Sequence, residues 1–591
     1  MCGIAGIIDF KNKINNPLKE INDLNSKNIN RGPDDEGVWF NMEKKVFFGH
    51  KRLSIIDLSE NGRQPFLSKD QKISLIFNGE IYNFKELKKI LIAKNYKFRS
   101  ETDTEVILYS YIEWGSKCVD KFRGMFAIAI WDENIKKLYL IRDPFGIKPL
   151  YYFKNDDFFY FSSSIKSLLS VPLVSKKKST ISIVNYLNWG NTIDPDTIYQ
   201  DIQSVEKGHC LTLDQNMNLE NKKYFDLMGT IADTEPFFFN NIDEGKEYLK
   251  EIISETIKYH LISDANNGIA LSSGLDSNLI LCNIDSHEKI KSLTVDFNID
   301  DSIKDELKIA QLHSLKKGVL NKSINLKELN INDELNFFLE NMDTPTNDGF
   351  NTLILSKLAK KNDIKVLLTG IGGDEMFMGY PSFSRADKYY NILKLLSEFN
   401  YKGFPKKILS SLVELLNLNL KFSEIFDVNS ITDLHKLSRR LFLDKEIKDI
   451  LIDKKISTNS NNLNYKVKNS NFDKLDTKSK LMFLEIEYYL CPKLLKDTDW
   501  TSMTQSVEIR TPFVDSVFFV QYLKLFKSNL KINKNFIYEA YKDVLPSEIG
   551  KRKKSGFGIP NQYLNKRLQI SPRFKNSLKD WSLNNLNYYI N

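Results

Sequence analysis

Two hydrophobic rhythms divide the chain. Over roughly the first 225 residues, apolar side chains come in short runs separated by turn-rich stretches, among them KVFFGH, KISLIFNGEIYNF, MFAIAIWD and KLYLIRD. Runs of that length, rich in β-branched and aromatic residues, predict β-rich layers, with TDTEVILYSYIEWG as one of a few helices beside them. The segment FDLMGTIADTEPFFFNNIDEG breaks the pattern and is expected to be a linker over 226–245. From 246 onward the rhythm changes. A helical run, EYLKEIISETIKYHLI, leads into the strand-like GIALS, a small-residue loop and the apolar helix SNLILCNI; IKVLLTG then repeats the pattern of a buried strand followed by a glycine loop. Strands alternating with helices predict a parallel α/β sheet whose ligands collect at the carboxyl ends of the strands. The leucine-, lysine- and asparagine-rich stretch 385–480 reads as an added helical part, with STNSNNLNYKVKNSNF polar enough to form a loop.

Composition narrows this picture. At 591 residues the chain exceeds what one core organises, which supports two large domains. Lys and Arg total 84 against 76 Asp and Glu, and the formal excess of +8 is diffuse, so neither nucleic acid nor membrane is an expected partner. No apolar run approaches the roughly 18 residues that span a bilayer, and no basic, apolar leader opens the chain, so a cytoplasmic protein is expected. The cysteines, Cys2, Cys118, Cys210, Cys282 and Cys491, are scattered without C-x-x-C spacing, and the six histidines show no ligand spacing. Neither a disulfide framework nor a zinc site is indicated.

The chain opens MCGIAGIIDF. Removal of Met1 would leave Cys2 with a thiol and a free α-amine on one residue, and an α-amine with a pKa of about 7.7–8.0 serves as a general base beside a nucleophile. A cysteine attacking a carboxamide needs oxyanion donors, which the Asn78 side chain and the Gly79 backbone N–H of FNGEIYN could supply. Arg52 in GHKRLSIIDLS suits a substrate α-carboxylate, and Asp103 in SETDTEVIL suits an α-ammonium. In the second half, ALSSGLDSNL follows a strand and opens a helix, so small residues at Ser272, Ser273 and Gly274 would admit phosphate to backbone N–H groups. An acid inside such a loop, Asp276, is best understood as a ligand of the magnesium that accompanies ATP.

RGPDDEG with Arg31, Arg52, FNGEIYN with Asn78, Gly79 and Glu80, and Asp103 stand in one order behind Cys2. Together they resemble the glutaminase domain of class II glutamine amidotransferases. ALSSGLDSNL resembles the phosphate loop of ATP pyrophosphatases, and VLLTGIGGDEMFMGYPSF the second nucleotide loop of asparagine synthetases. SLTVDFN, IKDELKIAQLHS, TDWTSMTQSVEIRTPFVD and KRKKSGFGIP extend the match over almost the whole chain, which is similar to glutamine-hydrolysing asparagine synthetases and amidotransferases on the same plan.

That resemblance implies an α+β amino-terminal αββα sandwich over 1–225, and an α/β parallel-sheet adenylating domain with added helices over 246–591. It implies catalysis by Cys2, Asn78 and Gly79, with glutamine held by Arg52, Asn78, Gly79, Glu80 and Asp103. ATP would be bound by Leu271, Ser272, Ser273, Gly274, Asp276, Ser277, Val295, Thr369, Gly370 and Lys554, and Mg2+ by Asp276 and Asp374. It further implies an internal ammonia tunnel, and a homodimer is an expectation left open. The implied reaction is ATP-dependent amidation of aspartate with ammonia from glutamine, forming AMP and pyrophosphate. The departures gather on the acceptor side: Ile371 where an acid is common, Trp500 where a base is common and Met378 where a glycine is common, besides Ser273 for a second glycine and Ser164 for a glutamate. They leave open another carboxylate acceptor, such as a uronic acid in surface-polysaccharide or secondary-metabolite synthesis, and a non-catalytic relative. Glutaminase coupled to sugar isomerisation fits less well, because the adenylating loop has no place in it.

Overall fold

The computed structural model describes residues 2–285, 290–297, 305–380, 383, 428, 430–457, 470–551 and 558–590. Lys554 and most of 385–480 lie outside them. Among the described residues the amino-terminal half forms two six-stranded antiparallel sheets. In the first, Ile202–Ser204 (β10), Tyr151–Lys154 (β8), Phe159–Ser162 (β9), Gly3–Ile8 (β1), Val46–Arg52 (β3) and Asp35–Phe40 (β2) lie side by side in that order. The second runs Leu219–Lys223 (β12), His209–Asp214 (β11), Lys137–Arg142 (β7), Gly124–Asp132 (β6), Ile73–Ile81 (β5) and Phe66–Leu67 (β4).

The sheets face each other across a core of Ile4, Phe48, Ile76, Ala127, Trp131 and Phe161. The helix Pro17–Ser26 (α1) covers the outer side of β1 and β3, and Asp103–Trp114 (α3), which follows Phe84–Ala93 (α2), covers β5. This is the expected αββα sandwich. It explains why β1 reads GIAGII without a polar residue: a strand covered on both faces loses the alternation of a half-exposed one.

In the second half Leu320–Asn325 (β15), Lys291–Asp296 (β14), Asn267–Ala270 (β13), Val366–Leu368 (β16) and Glu508–Arg510 (β17) form a five-stranded sheet with every neighbouring pair parallel. The central neighbours β13 and β16, with Ile269 opposite Leu368, point their carboxyl ends the same way, so the loops that follow them emerge side by side. A ten-residue π-helix, Ile486–Leu495, contains Pro492, whose missing N–H suits the wider turn, and it brings Tyr489 and Leu494 to those loops. The stretch expected as a linker contains the helix Leu227–Asp233.

The halves share one apolar core, in which Leu53, Tyr82, Met125 and Phe145 of the first pack with Leu249, Ile269, Phe513 and Phe519 of the second. Buried polar links reinforce the joint. Arg31 Nη1 lies 2.8 Å from Asp499 Oδ2, and Arg123 Nε lies 2.8 Å from Asp515 Oδ2. No helix among the described residues is long and apolar enough to cross a membrane.

Candidate active sites

Two sites form, one in each half. In the first, the Cys2 N–H donates to Asn78 Oδ1 at 3.0 Å, and the Cys2 carbonyl accepts from Arg31 Nε at 3.1 Å. Cys2 is 8% exposed, and burial pushes its thiol pKa up, so the nucleophile needs a base to ionise it. Asn78 uses its oxygen on Cys2 while its Nδ2, also buried, has no partner among the described residues. An unpaired buried donor beside a thiol is what an oxyanion requires. Gly79 has φ of +150°, and a Cβ there would stand 2.0 Å from the Met125 carbonyl oxygen, so this approach of β5 to β6 needs glycine.

The other predicted glutamine ligands lie at the end of β3, in β5 and at the start of α3. Arg52, at the end of β3, donates to the carbonyls of Ser59 at 2.7 Å and Asp57 at 2.5 Å, so the following loop is wrapped around its guanidinium. Gly62 makes room for it, since a Cβ there would lie 2.0 Å from Arg52 Nη2. Asp103 opens α3 and its Oδ2 accepts the Ile81 N–H at 3.0 Å; burial pushes its carboxyl pKa up to about 6. Glu80 shares a face of β5 with Asn78, because alternate residues of a strand point the same way. Its Oε2 accepts from Arg510 Nη2, in β17 of the other half, at 2.9 Å. Burial, reinforced by Asp103, pushes the Glu80 carboxyl well up, against the opposing Arg510 charge.

The second site lies where β13 and β16 end. A cavity of about 700 Å³ is lined by Leu271, Ser272, Ser273, Gly274, Asp276 and Ser277 from the first loop, and by Thr369, Gly370, Ile371 and Asp374 from the second. Asn278 Nδ2 donates to the carbonyls of Ser272 at 2.9 Å and Gly274 at 2.7 Å, fixing the first loop from beneath. Only glycine lets the loops meet: a Cβ at Gly373 would stand 2.6 Å from Asp276 Cγ, and one at Gly370 2.9 Å from the Ser277 nitrogen. The Asp276 and Asp374 carboxylates therefore converge. Lys534 Nζ bridges them, 2.9 Å from Asp276 Oδ2 and in closer contact with Asp374, and despite burial the two acids push the lysine pKa up. A cation already stands between these carboxylates, and two carboxylates completed by phosphate oxygens are a usual magnesium environment, so the residues fit the ion. Thr369 Oγ1 is buried here without a partner among the described residues.

Val295 is packed into the core on β14, and Leu293 of the same strand lines the cavity instead. Ser273 Oγ donates to Glu306 Oε1 at 3.3 Å, giving the serine a use that glycine lacks. Ile371 lines the cavity and Trp500 is buried, donating to Asp497 Oδ1 at 3.1 Å. Met378, where a glycine is common, has φ of +54°, the left-handed region that disfavours a side chain. Ser164 Oγ donates to Asp343 Oδ1 at 3.0 Å across the joint. Glu375 accepts from Tyr380 Oη at 2.5 Å, and burial pushes its carboxyl up to about 7.

Residues 1–225 match the glutamine amidotransferase domain, and residues 248–591 match asparagine synthase. The chain belongs to the asparagine synthase family. Asparagine synthetase [glutamine-hydrolyzing] 1 of Bacillus subtilis is 29% identical over 99% of this chain and 89% of that protein. Asparagine synthetase 3 of the same organism is 27% identical, over 94% and 87%. Amidase chry2 of Gibberella zeae is 30% identical over 66% of this chain and 60% of its own. As a member of the asparagine synthase family, the protein is an ATP-dependent, glutamine-hydrolysing ligase that carries out glutamine-dependent amidation. Within this family member, sequence reasoning missed Lys534, which sits in INKNFIYEAY as one lysine among many and carries no local signal.

Proposed function

We propose that this protein is a glutamine-hydrolysing asparagine synthetase that amidates aspartate. The observation that carries the reading is the pairing of two centres in one chain, an unpaired amide donor beside a buried Cys2 and two converging carboxylates over a small-residue loop. After loss of Met1, the Cys2 α-amine takes the thiol proton as sulfur attacks the glutamine carboxamide. Asn78 Nδ2 and the Gly79 N–H take the negative charge on the former carbonyl oxygen. Collapse of the intermediate passes the proton to the leaving nitrogen, frees ammonia and leaves a glutamyl thioester, which water then hydrolyses. Arg52 and Asp103 hold the two ends of glutamine.

At the second site Asp276 and Asp374 would hold the magnesium of ATP, which would screen the phosphate charge and polarise the α-phosphate. The first loop cradles the phosphates, and Lys534 is placed to follow the negative charge onto pyrophosphate. The acceptor carboxylate attacks the α-phosphorus, pyrophosphate leaves, and ammonia displaces AMP from the acyl adenylate to give the amide. Ammonia is mostly protonated in bulk water near neutral pH, so the apolar joint between the halves favours the nucleophilic form in transit.

A specific feature favours a second reading, another carboxylate on the same scaffold. Ile371 cannot manage a proton, and among the described lining residues Lys534 is the one basic side chain, already held by two acids. Pyrophosphate release with magnesium-ATP and glutamine decides between them, with aspartate set against uronic acids and other carboxylates. Asparagine formed from aspartate supports the first reading; an inert aspartate beside a responding acid supports the second.

A further inference from the structure

Arg510 is fully buried in β17 of the synthetase half, yet it reaches into the glutaminase half. Four of the five N–H donors of its guanidinium are engaged: Nε donates to Glu508 Oε1 at 2.6 Å, Nη1 to the carbonyls of His260 at 2.8 Å and Ile262 at 2.6 Å, and Nη2 to Glu80 Oε2 at 2.9 Å. Glu80 is two residues from Asn78 on the same face of β5, with Gly79 between them. Ile81, next in line, is held by Asp103. Two polar ties therefore fix β5 just beyond the oxyanion donors, one from α3 and one from the other domain.

The backbone of Arg510 continues the connection. Its carbonyl accepts the Thr369 N–H at 2.9 Å, and Thr369 opens the second nucleotide loop. One residue thus bonds by its side chain to the strand that carries Asn78 and by its main chain to the loop that carries Asp374. A guanidinium with donors fixed in one plane suits this work, and an ammonium does not reproduce it.

We propose that Arg510 is a positioning residue for glutamine hydrolysis, supplied by the synthetase domain, which acts through Glu80 to hold Asn78 and Gly79 at the carbonyl of the substrate. The proposal rests on the placement of glutamine at Cys2 given above. Because a displacement of about 1 Å at a reacting centre can lower rate by about 100-fold, loss of one tie is large enough to measure.

The test compares glutamine-supported with ammonia-supported pyrophosphate release in the full chain, using the acceptor identified by the carboxylate panel, and measures glutaminase turnover directly. Glu80→Met removes the acceptor at nearly constant length; Glu80→Gln keeps a neutral acceptor; Arg510→Lys keeps the charge and loses the fork. The expected result is that E80M and R510K each lower the glutamine-to-ammonia ratio about tenfold or more at saturating glutamine, with E80Q close to the parent. The double variant E80M/R510K is expected to be no worse than the poorer single variant, since both remove one interaction. The proposal is overturned if the ratio is unchanged, if both activities fall together, if the two effects multiply, or if E80Q is as poor as E80M. Cys2→Ala in parallel separates the two ideas, because persistent glutaminase turnover in that variant defeats the nucleophile assignment instead.

Discussion

Replacement of Asn78 by alanine tests the oxyanion reading most directly. In the free protein Asn78 Nδ2 is buried and unpaired, so the penalty for removing it from water is already present before substrate arrives. Charge developing on the glutamine carbonyl oxygen would meet a donor with no bond to give up. Loss of one such donor typically lowers kcat by about 10²–10³, or about 2.7–4 kcal/mol of transition-state stabilisation. Alanine also removes the acceptor that fixes the Cys2 nitrogen at 3.0 Å, which adds about 1 kcal/mol of lost order. Asn78→Ala is therefore expected to cut glutaminase kcat at least 100-fold with the glutamine KM changed only a few-fold, because a transition-state contact has been removed and not uniform binding. Ammonia-supported pyrophosphate release should stay within about twofold of the parent, since the second site is untouched. Assayed by glutamate formation and by pyrophosphate release on the same preparation, a loss below tenfold, or an equal loss of both activities, would refute the reasoning.

Cys2→Ala should abolish glutamine hydrolysis while added ammonia still supports the ligase reaction. Asp276→Asn should do the reverse, removing magnesium-ATP-dependent pyrophosphate release and sparing glutamine hydrolysis. Gly373→Ala places a Cβ 2.6 Å from Asp276 Cγ and should raise the KM for ATP at least tenfold with glutaminase turnover retained; an unchanged KM would mean the loops separate at no cost. If Asp103 holds the glutamine ammonium, it does so only when ionised, and its carboxyl is raised to about 6, so glutaminase kcat/KM should show an added loss as pH drops through 6, below the limb set by the Cys2 α-amine at about 7.7–8.0. A slope that stays at about tenfold per pH unit from pH 7 to 5, with no steepening below 6, would remove Asp103 from that role.

The sandwich and the first centre were legible because their signals are local. Cys2, Asn78 with Gly79, and Asp103 each lie in a short stretch whose chemistry can be argued alone, and the unbroken apolar β1 and β6 announce strands covered on both sides. The loops after β13 and β16 were legible for the same reason: small residues and an acid between a buried strand and a helix. What could not be read was direction across long separations. Glu80 adjoins the oxyanion pair in the sequence, and nothing local marks its bonding partner Arg510, 430 residues away. Lys534 had no motif to mark it, and its role appears only when α/β winding brings its helix, Lys534–Tyr541, over both carboxylates. Val295 and Leu293 lie on one strand two residues apart, and packing alone decides which reaches the cavity. The departures Ile371 and Met378 could be seen in the sequence, but the strained φ of Met378 could not.

The charged pairs that cross the otherwise apolar joint between the halves bear on how such proteins can recombine. Arg31 and Arg123 on one side are matched by Asp499 and Asp515 on the other, and Glu80 by Arg510, all of them buried. Breaking one buried partnership by removing one member costs about 3–5 kcal/mol, a large part of the stability of an ordinary domain. A gene exchange that joined the amidotransferase half of one relative to the ligase half of another would succeed only if both parents wrote the same charges on the two faces. Whatever else differs between two such proteins, the charges on this seam work only as a matched pair.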